Sequence, residues 1–470
     1  MGLVGCVVVC LALAVPASAG AKASNDDLTT YGYGNARLGT SPGPGIAART
    51  VPRLRIAWVR RVGGAIDGQP LVVGSVRVGS RARNLVLAGT GHGKVAAIDL
   101  GNGKVLWQRR LAVRRLNPGC QSSPDALFGV TATMVVDRAA GRVYAVDVDN
   151  RVWALQLATG SVVGGWPVTV AGSGDFVWGA LALSRRWLYV PTASLCDDTV
   201  YHGGVRAVDT ANPRHRLQWL TTGGTNTYAG GIWGWGGLSV DNDDGDVFAA
   251  SGNALPLSRE AAGEAESVIR LSPVLRLLQA NYPLQPPFQI SDRDFGTAPV
   301  LIRARGCPEK AVAINKDGLL YVYDADRISA GPRQSIRVAL STSNTIPLYG
   351  MPAYDPASRR LVLVSPSSVP GSGLGAGVQS FVLSPRCVFH QSWQRGFDPP
   401  DAGGPPTIAG GVIYIGSGRN GVIRAFRLSD GHQLFARGLG STIFAAPAVA
   451  HGTLIVGDWL GRVWAFRSRR

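Results

Sequence analysis

The chain has 470 residues, 46% of them hydrophobic, and a formal net charge of +17 from 47 Lys and Arg against 30 Asp and Glu. Its length allows a large folded core, and its hydrophobic content excludes a disordered chain. The basic residues are nearly all arginines, spread in ones and twos with no basic run interleaved with aromatic residues, so the pattern predicts no nucleic-acid partner. We interpret the charge as a solvated surface, with attraction to an anionic cell envelope as the alternative.

The first residues have the pattern of a secretory signal. An apolar run from Leu3 to Val15 precedes the small residues 17–19, which predicts a signal peptide over residues 1–19 and cleavage before Gly20. The run is shorter than the roughly 20 residues that cross a bilayer, so we expect no transmembrane span in the mature chain. The protein is therefore expected to be secreted, periplasmic or associated with the cell envelope. Residues 20–53 form an N-terminal lead segment.

The rest of the chain repeats one phrase, which is clearest in NLVLAGTGHGKVAAIDLGNGKVLW, residues 84–107. Two aliphatic runs with a glycine-rich turn between them, and a further glycine turn before a third run, indicate three consecutive antiparallel strands. Eight copies occur, and each places an apolar residue at the fourth position of its third strand: Ile98, Leu155, Val208, Leu271, Tyr323, Leu383, Phe426 and Phe466.

Successive copies are spaced 40 to 63 residues apart, which is typical of a four-stranded blade with loops of variable length. Helical periodicity is nearly absent. The sequence therefore predicts an all-β, eight-bladed β-propeller over residues 54–470.

Closure of the ring is predicted from the two ends of this region. The eighth copy stops after its third strand at Arg467, whereas Leu54 to Val62 is a lone strand near the N-terminus. Its Trp58 resembles the blade-closing Trp107 and Trp219. We expect this strand to be the outer strand of the last blade, which leaves no open sheet edge.

Four of the six cysteines remain after cleavage of the signal, and an even number in an exported chain favours disulfides. Three pairings are possible. We prefer Cys120 with Cys196 and Cys307 with Cys387, because each pair would tie neighbouring blades together. Four buried free thiols are the alternative.

The eight repeats, with phrases such as GKVAAIDLGNGKVLW, resemble the pyrroloquinoline quinone (PQQ) repeat of quinoprotein alcohol dehydrogenases. The resemblance covers nearly the whole mature chain. Within this family, the chain is similar to the polyvinyl-alcohol dehydrogenases. It implies an enzyme that oxidises a small or polymeric alcohol with PQQ and calcium. The same repeat also builds non-catalytic propellers, so the alternative is a scaffold that binds an envelope protein or polysaccharide.

The resemblance also implies a set of site residues. In IWGWGGLSVDNDDGDVFAASGN, the family's spacing puts Trp235 beneath the quinone, Asp241 in a turn, and Asn253 on calcium. The alternative is that Trp235 packs between blades and that residues 251–253 are only a turn. In SDRDFGTAPVLI, Asp294 matches the catalytic aspartate that acts as general base beside the calcium ion, with Asp292 as second choice.

Lys316, in AINKDGLLYVYD, lies where the family has a lysine or arginine that hydrogen-bonds the quinone. An exposed Lys-Asp-Gly turn is the alternative. The calcium-binding glutamate of the family is replaced, at best, by Asp197 or Asp198. Two departures weaken the implied function: no two cysteines are adjacent, and no cytochrome domain follows the repeats.

Overall fold

The computed structural model describes residues 26–116, 119, 124–223, 227–256, 258, 262–283, 293–340, 350–367, 369, 375–397 and 403–468. The predicted signal peptide, Cys120 and Asp292 lie outside these residues. Within them the chain folds into eight four-stranded antiparallel sheets, and its short 3-10 helices include Tyr31–Tyr33, Ala48–Arg53 and Ile328–Ala330.

Each sheet is one propeller blade whose strands follow one another from the axis outward. The strands are as follows: blade 1, Leu71–Val78, Arg81–Gly89, Lys94–Asp99 and Val105–Arg110; blade 2, Val135–Asp137, Arg142–Val146, Arg151–Gln156 and Val168–Thr169; blade 3, Ala182–Ser184, Trp187–Thr192, Gly204–Asp209 and Arg216–Leu220; blade 4, Ser239–Val240, Val247–Ala250, Val268–Leu271 and Leu277–Asn281; blade 5, Val300–Ile302, Lys310–Ile314, Leu319–Asp324 and Gln334–Arg337; blade 6, Ala353–Asp355, Arg360–Ser365, Gly377–Leu383 and Phe389–Arg395; blade 7, Thr407–Ala409, Val412–Gly416, Val422–Arg427 and Gln433–Gly438; blade 8, Ala448–Ala450, Thr453–Gly457, Arg462–Ser468 and Leu54–Arg61.

Two small ladders lie outside the blades. Arg114–Arg115 pairs with Leu127–Phe128, and Tyr228–Ala229 pairs with Ala254–Leu255. First strands of neighbouring blades contact one another around the axis between blades 2 and 3, 3 and 4, 6 and 7, 7 and 8, and 8 and 1, so the last blade closes onto the first. The eight apolar residues predicted for the third strands are all at most 1% exposed, which confirms that the repeat supplies the core.

The predicted closure of the ring is confirmed. Strand Leu54–Arg61 pairs antiparallel with Arg462–Ser468, and Trp58 lies opposite Ala465. The first strand of the chain therefore completes the last blade, so blade 8 ends on a strand from the opposite end of the sequence. Such a join covers a sheet edge that would otherwise carry unpaired N–H and C=O groups.

Fourth-strand tryptophans connect neighbouring blades. In three cases the indole N–H donates to a carbonyl at the end of the next blade's third strand, and the ring covers a glycine there. A Cβ on that glycine would lie 2.4–2.7 Å from the indole, and its φ is positive, so the repeat requires glycine. The pairs are Trp58 with Gly103, Trp107 with Gly160, and Trp393 with Gly431.

Residues 26–47, which we call the plug, cross one end of the central channel. The plug hydrogen-bonds to the innermost strand of every blade, so it is held by the whole ring. The contacts are Leu28–Val72, Thr29–Val136, Asn35–Leu183, Asn35–Val240, Ala36–Leu301, Leu38–Tyr354, Gly39–Ile408 and Tyr33–Val449, in blade order.

One predicted disulfide is confirmed and the other is only half described. Cys307 and Cys387 are bonded, with their Cα atoms 5.5 Å apart, and they tie blade 5 to blade 6. Cys196 is also disulfide-bonded, but its predicted partner Cys120 is outside the described residues. No helix in the described ranges is both long enough and apolar enough to cross a membrane.

Candidate active site

We call the channel end opposite the plug the open mouth. The strand order places two kinds of loop there. Strands alternate in direction, so the loop before each first strand and the loop between each second and third strand lie on the same face. Trp235 and Asp294 precede the first strands of blades 4 and 5, whereas Asn253 and Lys316 follow the second strands of those blades. The topology alone therefore brings these four residues to one end of the ring.

Asp294 lies at the centre of the site. Its Oδ1 accepts a hydrogen bond from the Asn253 backbone N–H at 2.7 Å, and its Oδ2 accepts one from the Lys316 ammonium at 2.8 Å. Both Asp294 and Lys316 are 7% exposed. The carboxylate is therefore held in a fixed position by a cation on one oxygen and a backbone N–H on the other.

The backbone around Asp294 is shaped for this contact. A Cβ at Gly252 would lie 2.4 Å from Asp294 Oδ1, so only glycine lets the carboxylate reach the Asn253 N–H. The preceding residue, Arg293, is 2% exposed and pairs with the buried Glu266 at 3.2 Å. Such a buried pair costs stability if one partner is lost, so it holds the Asp294 loop in place.

A second carboxyl group lies beside this pair. Burial, followed by the charge of Asp294, raises the pKa of Asp197, and Asp197 accepts a hydrogen bond from Ser194 Oγ at 2.7 Å. Burial and then the charges of Asp197 and Asp294 also raise the pKa of Tyr201 well above its usual value. The adjacent Asp198 instead accepts from the Gly119 N–H at 2.8 Å. Of the two aspartates left open by the sequence, Asp197 is the one that interacts with Asp294.

An aromatic layer covers the mouth next to these groups. Trp178 and Trp233 are stacked, with centroids 5.7 Å apart, and the Lys316 ammonium lies 5.1 Å from the Trp233 centroid. Trp235 is only 4% exposed because Phe444 lies 4.8 Å away, and its indole N–H donates to Phe444 O at 3.0 Å. Trp178, Trp233 and Phe444 are rings of this layer that remain partly exposed.

Asp67 is a further acidic residue at this mouth, across the aromatic layer from Asp294. Trp459, whose ring lies 5.8 Å from Phe444, donates its indole N–H to Asp67 Oδ1 at 2.9 Å. Burial raises the pKa of Asp67 to about 7, although the Trp459 hydrogen bond opposes the shift. The sequence analysis missed Asp67, as it missed Trp233 and Tyr201; only their place in the loops before first strands or after second strands could have indicated them.

The described residues contain no group of three or more His, Cys, Asp or Glu side chains suited to holding a metal ion. The calcium ligands that the resemblance implies are two carboxylates and one amide, so only two of the three are acidic side chains. Asp197 and Asp294 bring two acids beside one lysine. Burial, followed by the repulsion of Asp294, raises the pKa of Asp197, and a divalent cation bound there would oppose that shift. Carboxylate oxygens are ligands that calcium prefers, and Asp197 and Asp294 supply them at the open mouth.

Asp241 lies at the opposite face, in the turn after the first strand of blade 4. Its carboxylate accepts from Arg303 at 2.6 Å, so it ties blade 4 to blade 5 and is not a site residue. This matches its predicted role as a turn aspartate.

Comparison with known proteins supports this architecture. A sequence model for the family described as outer membrane protein assembly factor BamB matches residues 49–212. The fold is similar to quinohemoprotein alcohol dehydrogenase from Comamonas testosteroni, with a TM-score of 0.69 at 16% identity over 96% of this chain and 82% of that chain. The chain shares the propeller fold of this enzyme.

Two other solved structures share this propeller. A europium-containing methanol dehydrogenase has a TM-score of 0.67 at 15% identity, covering 94% of this chain and 98% of that one. BamB from Moraxella catarrhalis has a TM-score of 0.55 at 13% identity, covering 89% and 98%. No curated protein matches the sequence. At such identities the likeness shows the fold alone, and it confirms the predicted resemblance to quinoprotein alcohol dehydrogenase propellers.

Proposed function

We propose that the protein is an exported alcohol dehydrogenase of the quinoprotein type. The observation that carries this proposal is the contact of Asp294 with both Lys316 and the Asn253 backbone at one mouth of the channel. These residues are separated by up to 63 positions in the sequence, and the resemblance assigns all three to one site.

In this proposal Asp197, Asn253 and Asp294 hold calcium, and Lys316 donates to the quinone. PQQ, when bound, supplies the hydride acceptor, and the cation makes its carbonyl more electrophilic. Asp294 takes the proton from the substrate hydroxyl as general base, and its hydrogen bonds from Lys316 and the Asn253 N–H hold the carboxylate in position. The aromatic layer excludes water beside it, which strengthens the electrostatic interactions of the buried charges.

Reconstitution tests the proposal directly. The mature protein is mixed with calcium and PQQ, and the quinone absorbance is followed before any alcohol is added. We expect a shifted absorbance and, with a primary alcohol and an artificial electron acceptor, turnover. Asp294→Asn keeps the shape of the side chain but removes the base, so turnover is expected to fall about 10²–10⁴-fold.

Asp326→Asn is the matched control, because Asp326 is exposed and lies on the opposite face, in the segment between the third and fourth strands of blade 5. It is expected to leave turnover within about twofold. A second variant, Lys316→Gln, is expected to weaken quinone binding measured by absorbance. Absence of any absorbance shift with calcium present would refute the cofactor assignment.

A second candidate function is a non-catalytic scaffold for an envelope protein or polysaccharide. Two observations favour it: the chain has no adjacent cysteine pair, and Phe444 covers the Trp235 ring on which the quinone was expected to stack. The family match over residues 49–212 carries the name of an assembly factor. This candidate is adopted if the folded protein binds no quinone.

A further inference from the structure

A cleft opens between the outer strands of blades 2 and 3, away from the open mouth. Its volume is about 370 Å³, and it is lined by Val170, Arg206, Ala207, Arg216, Leu217 and Gln218. Val170 follows the fourth strand of blade 2, and the other five belong to the third and fourth strands of blade 3. The cleft is thus part of the rim of the propeller and shares no residue with the candidate active site.

Arg206 is the central residue of this cleft. It is 6% exposed, and its Nη2 donates to His202 O at 3.3 Å and lies 3.5 Å from Asp175 Oδ2. Its Nη1 is buried and has no hydrogen-bond partner in the part of the chain that the structure describes. A buried N–H of a charged group is costly to leave unpaired, so an acceptor is expected there.

Asp175 does not supply that acceptor. Its Oδ1 accepts from the His202 N–H at 2.8 Å, and its Oδ2 accepts from the Gly172 N–H at 3.0 Å, so its charge is shared with the backbone. Burial lowers the pKa of Arg206, and the attraction of Asp175 only partly offsets this effect. The guanidinium is therefore incompletely compensated by the protein's own acids.

Two more polar side chains extend from the same face of the sheet. Arg206 is paired with Gln218 across the third and fourth strands, and Arg216 lies two residues before Gln218. Side chains at such positions share one face of an antiparallel pair. Arg216 also donates to Thr169 O of blade 2 at 2.5 Å, so its guanidinium spans the gap between the blades.

We propose that this cleft binds a small oxyanion, that is, a carboxylate or phosphate group. The planar guanidinium of Arg206 offers an unused donor to an anionic oxygen, Arg216 adds a second positive charge at the entrance, and Gln218 adds a neutral donor. The volume of about 370 Å³ is large enough to hold such a group together with the small molecule that carries it. The net charge of +17 would also raise the local concentration of anions.

The test measures binding of two probes, inorganic phosphate and succinate, by isothermal titration calorimetry at about 150 mM NaCl, where exposed charges are screened beyond ~8 Å. We expect binding in the millimolar range or tighter, with Arg216→Gln weakening it about 3- to 10-fold. Arg214→Gln is the matched control, since Arg214 is exposed in the adjacent turn, carries the same charge and does not line the cleft. It is expected to change affinity less than about twofold.

Arg206→Gln removes the central donor and is expected to abolish measurable binding. If that variant does not fold, the difference between Arg216→Gln and Arg214→Gln still decides the question. Tighter binding of one probe assigns the group that the cleft prefers. Equal weakening by the two surface variants, or no heat of binding from either probe up to about 20 mM, would overturn the proposal.

Discussion

Replacement of Arg37 by methionine tests how the plug holds the ring. Arg37 is fully buried and donates to Leu238 O at 2.8 Å, Thr30 Oγ1 at 2.8 Å, Tyr31 O at 3.1 Å and Leu181 O at 2.9 Å. Burial lowers the pKa of Arg37 to about 9, which still leaves it protonated at neutral pH.

The magnitude follows from the acceptors that Arg37→Met would leave behind. Leu181 O keeps the hydrogen bond from Thr30 at 3.0 Å. The carbonyls of Tyr31 and Leu238 are therefore the two acceptors that lose their hydrogen-bond donor. Each buried unpaired acceptor costs about 1–3 kcal/mol. The substitution also removes a buried guanidinium that has no carboxylate partner among the described residues, which offsets part of this cost. We therefore expect the free energy of unfolding to fall by about 2–4 kcal/mol.

Urea unfolding followed by circular dichroism measures the effect, with the m-value as a check that the folded state is otherwise unchanged. Arg49→Met is the matched control, because Arg49 is an exposed arginine of the helix Ala48–Arg53 just after the plug. That variant is expected to stay within about 0.5 kcal/mol of the parent. The reasoning is refuted if the two variants lose the same stability, since the plug would then not depend on its buried cation.

Three further predictions concern the rest of the ring. Because the pKa of Asp67 is raised to about 7, the folded protein holds a proton that the unfolded chain loses above about pH 4. The free energy of unfolding should therefore fall between about pH 4 and 7, by up to ~1.4 kcal/mol per pH unit. Asp67→Asn should flatten that fall in urea titrations, and an unchanged slope would contradict it. Cys307→Ser together with Cys387→Ser opens a link across 80 residues and should cost about 4 kcal/mol, seen as a lower urea midpoint. Trp58→Ala removes the indole that closes blade 8 onto blade 1 and should cost about 3–5 kcal/mol by the same assay, with loss below 1 kcal/mol as the contrary result.

The propeller could be predicted from the sequence because its information is local and repeated eight times. Each copy marks its turns with glycine and its core with one apolar position, and Trp58 shows where the missing strand belongs. The plug could not be predicted in the same way. It has no periodic pattern, and it is held largely by backbone hydrogen bonds, which any residue except proline can make.

The candidate site was predictable only in part. The resemblance assigned roles to Asp294 and Lys316, and the structure brings their side chains into contact. It could not decide between Asp197 and Asp198, because adjacent residues in a loop point in different directions. The layer formed by Trp178 and Trp233 was missed as well, since it depends on two blades meeting and not on any local pattern.

Comparison of one turn across the blades shows how a site arises within a repeated structure. In blade 2, the turn after the second strand carries Asp147, which accepts from the backbone N–H and side chain of Arg151 and from the indole of Trp153. The same arrangement occurs in blade 8, where Asp458 accepts from Arg462 and from Trp464. This turn is a stable unit without any ligand.

In blade 5 the equivalent position is Asn315. Its side chain still organises the turn, because Oδ1 accepts from the Asp317 N–H at 2.9 Å and Nδ2 donates to Arg293 O. An amide can do this without adding a negative charge at that position, and the next residue, Lys316, pairs with Asp294 from the neighbouring loop. The turn of blade 5 thus keeps an arrangement that stabilises other blades, and it also places a lysine against Asp294 in the candidate site.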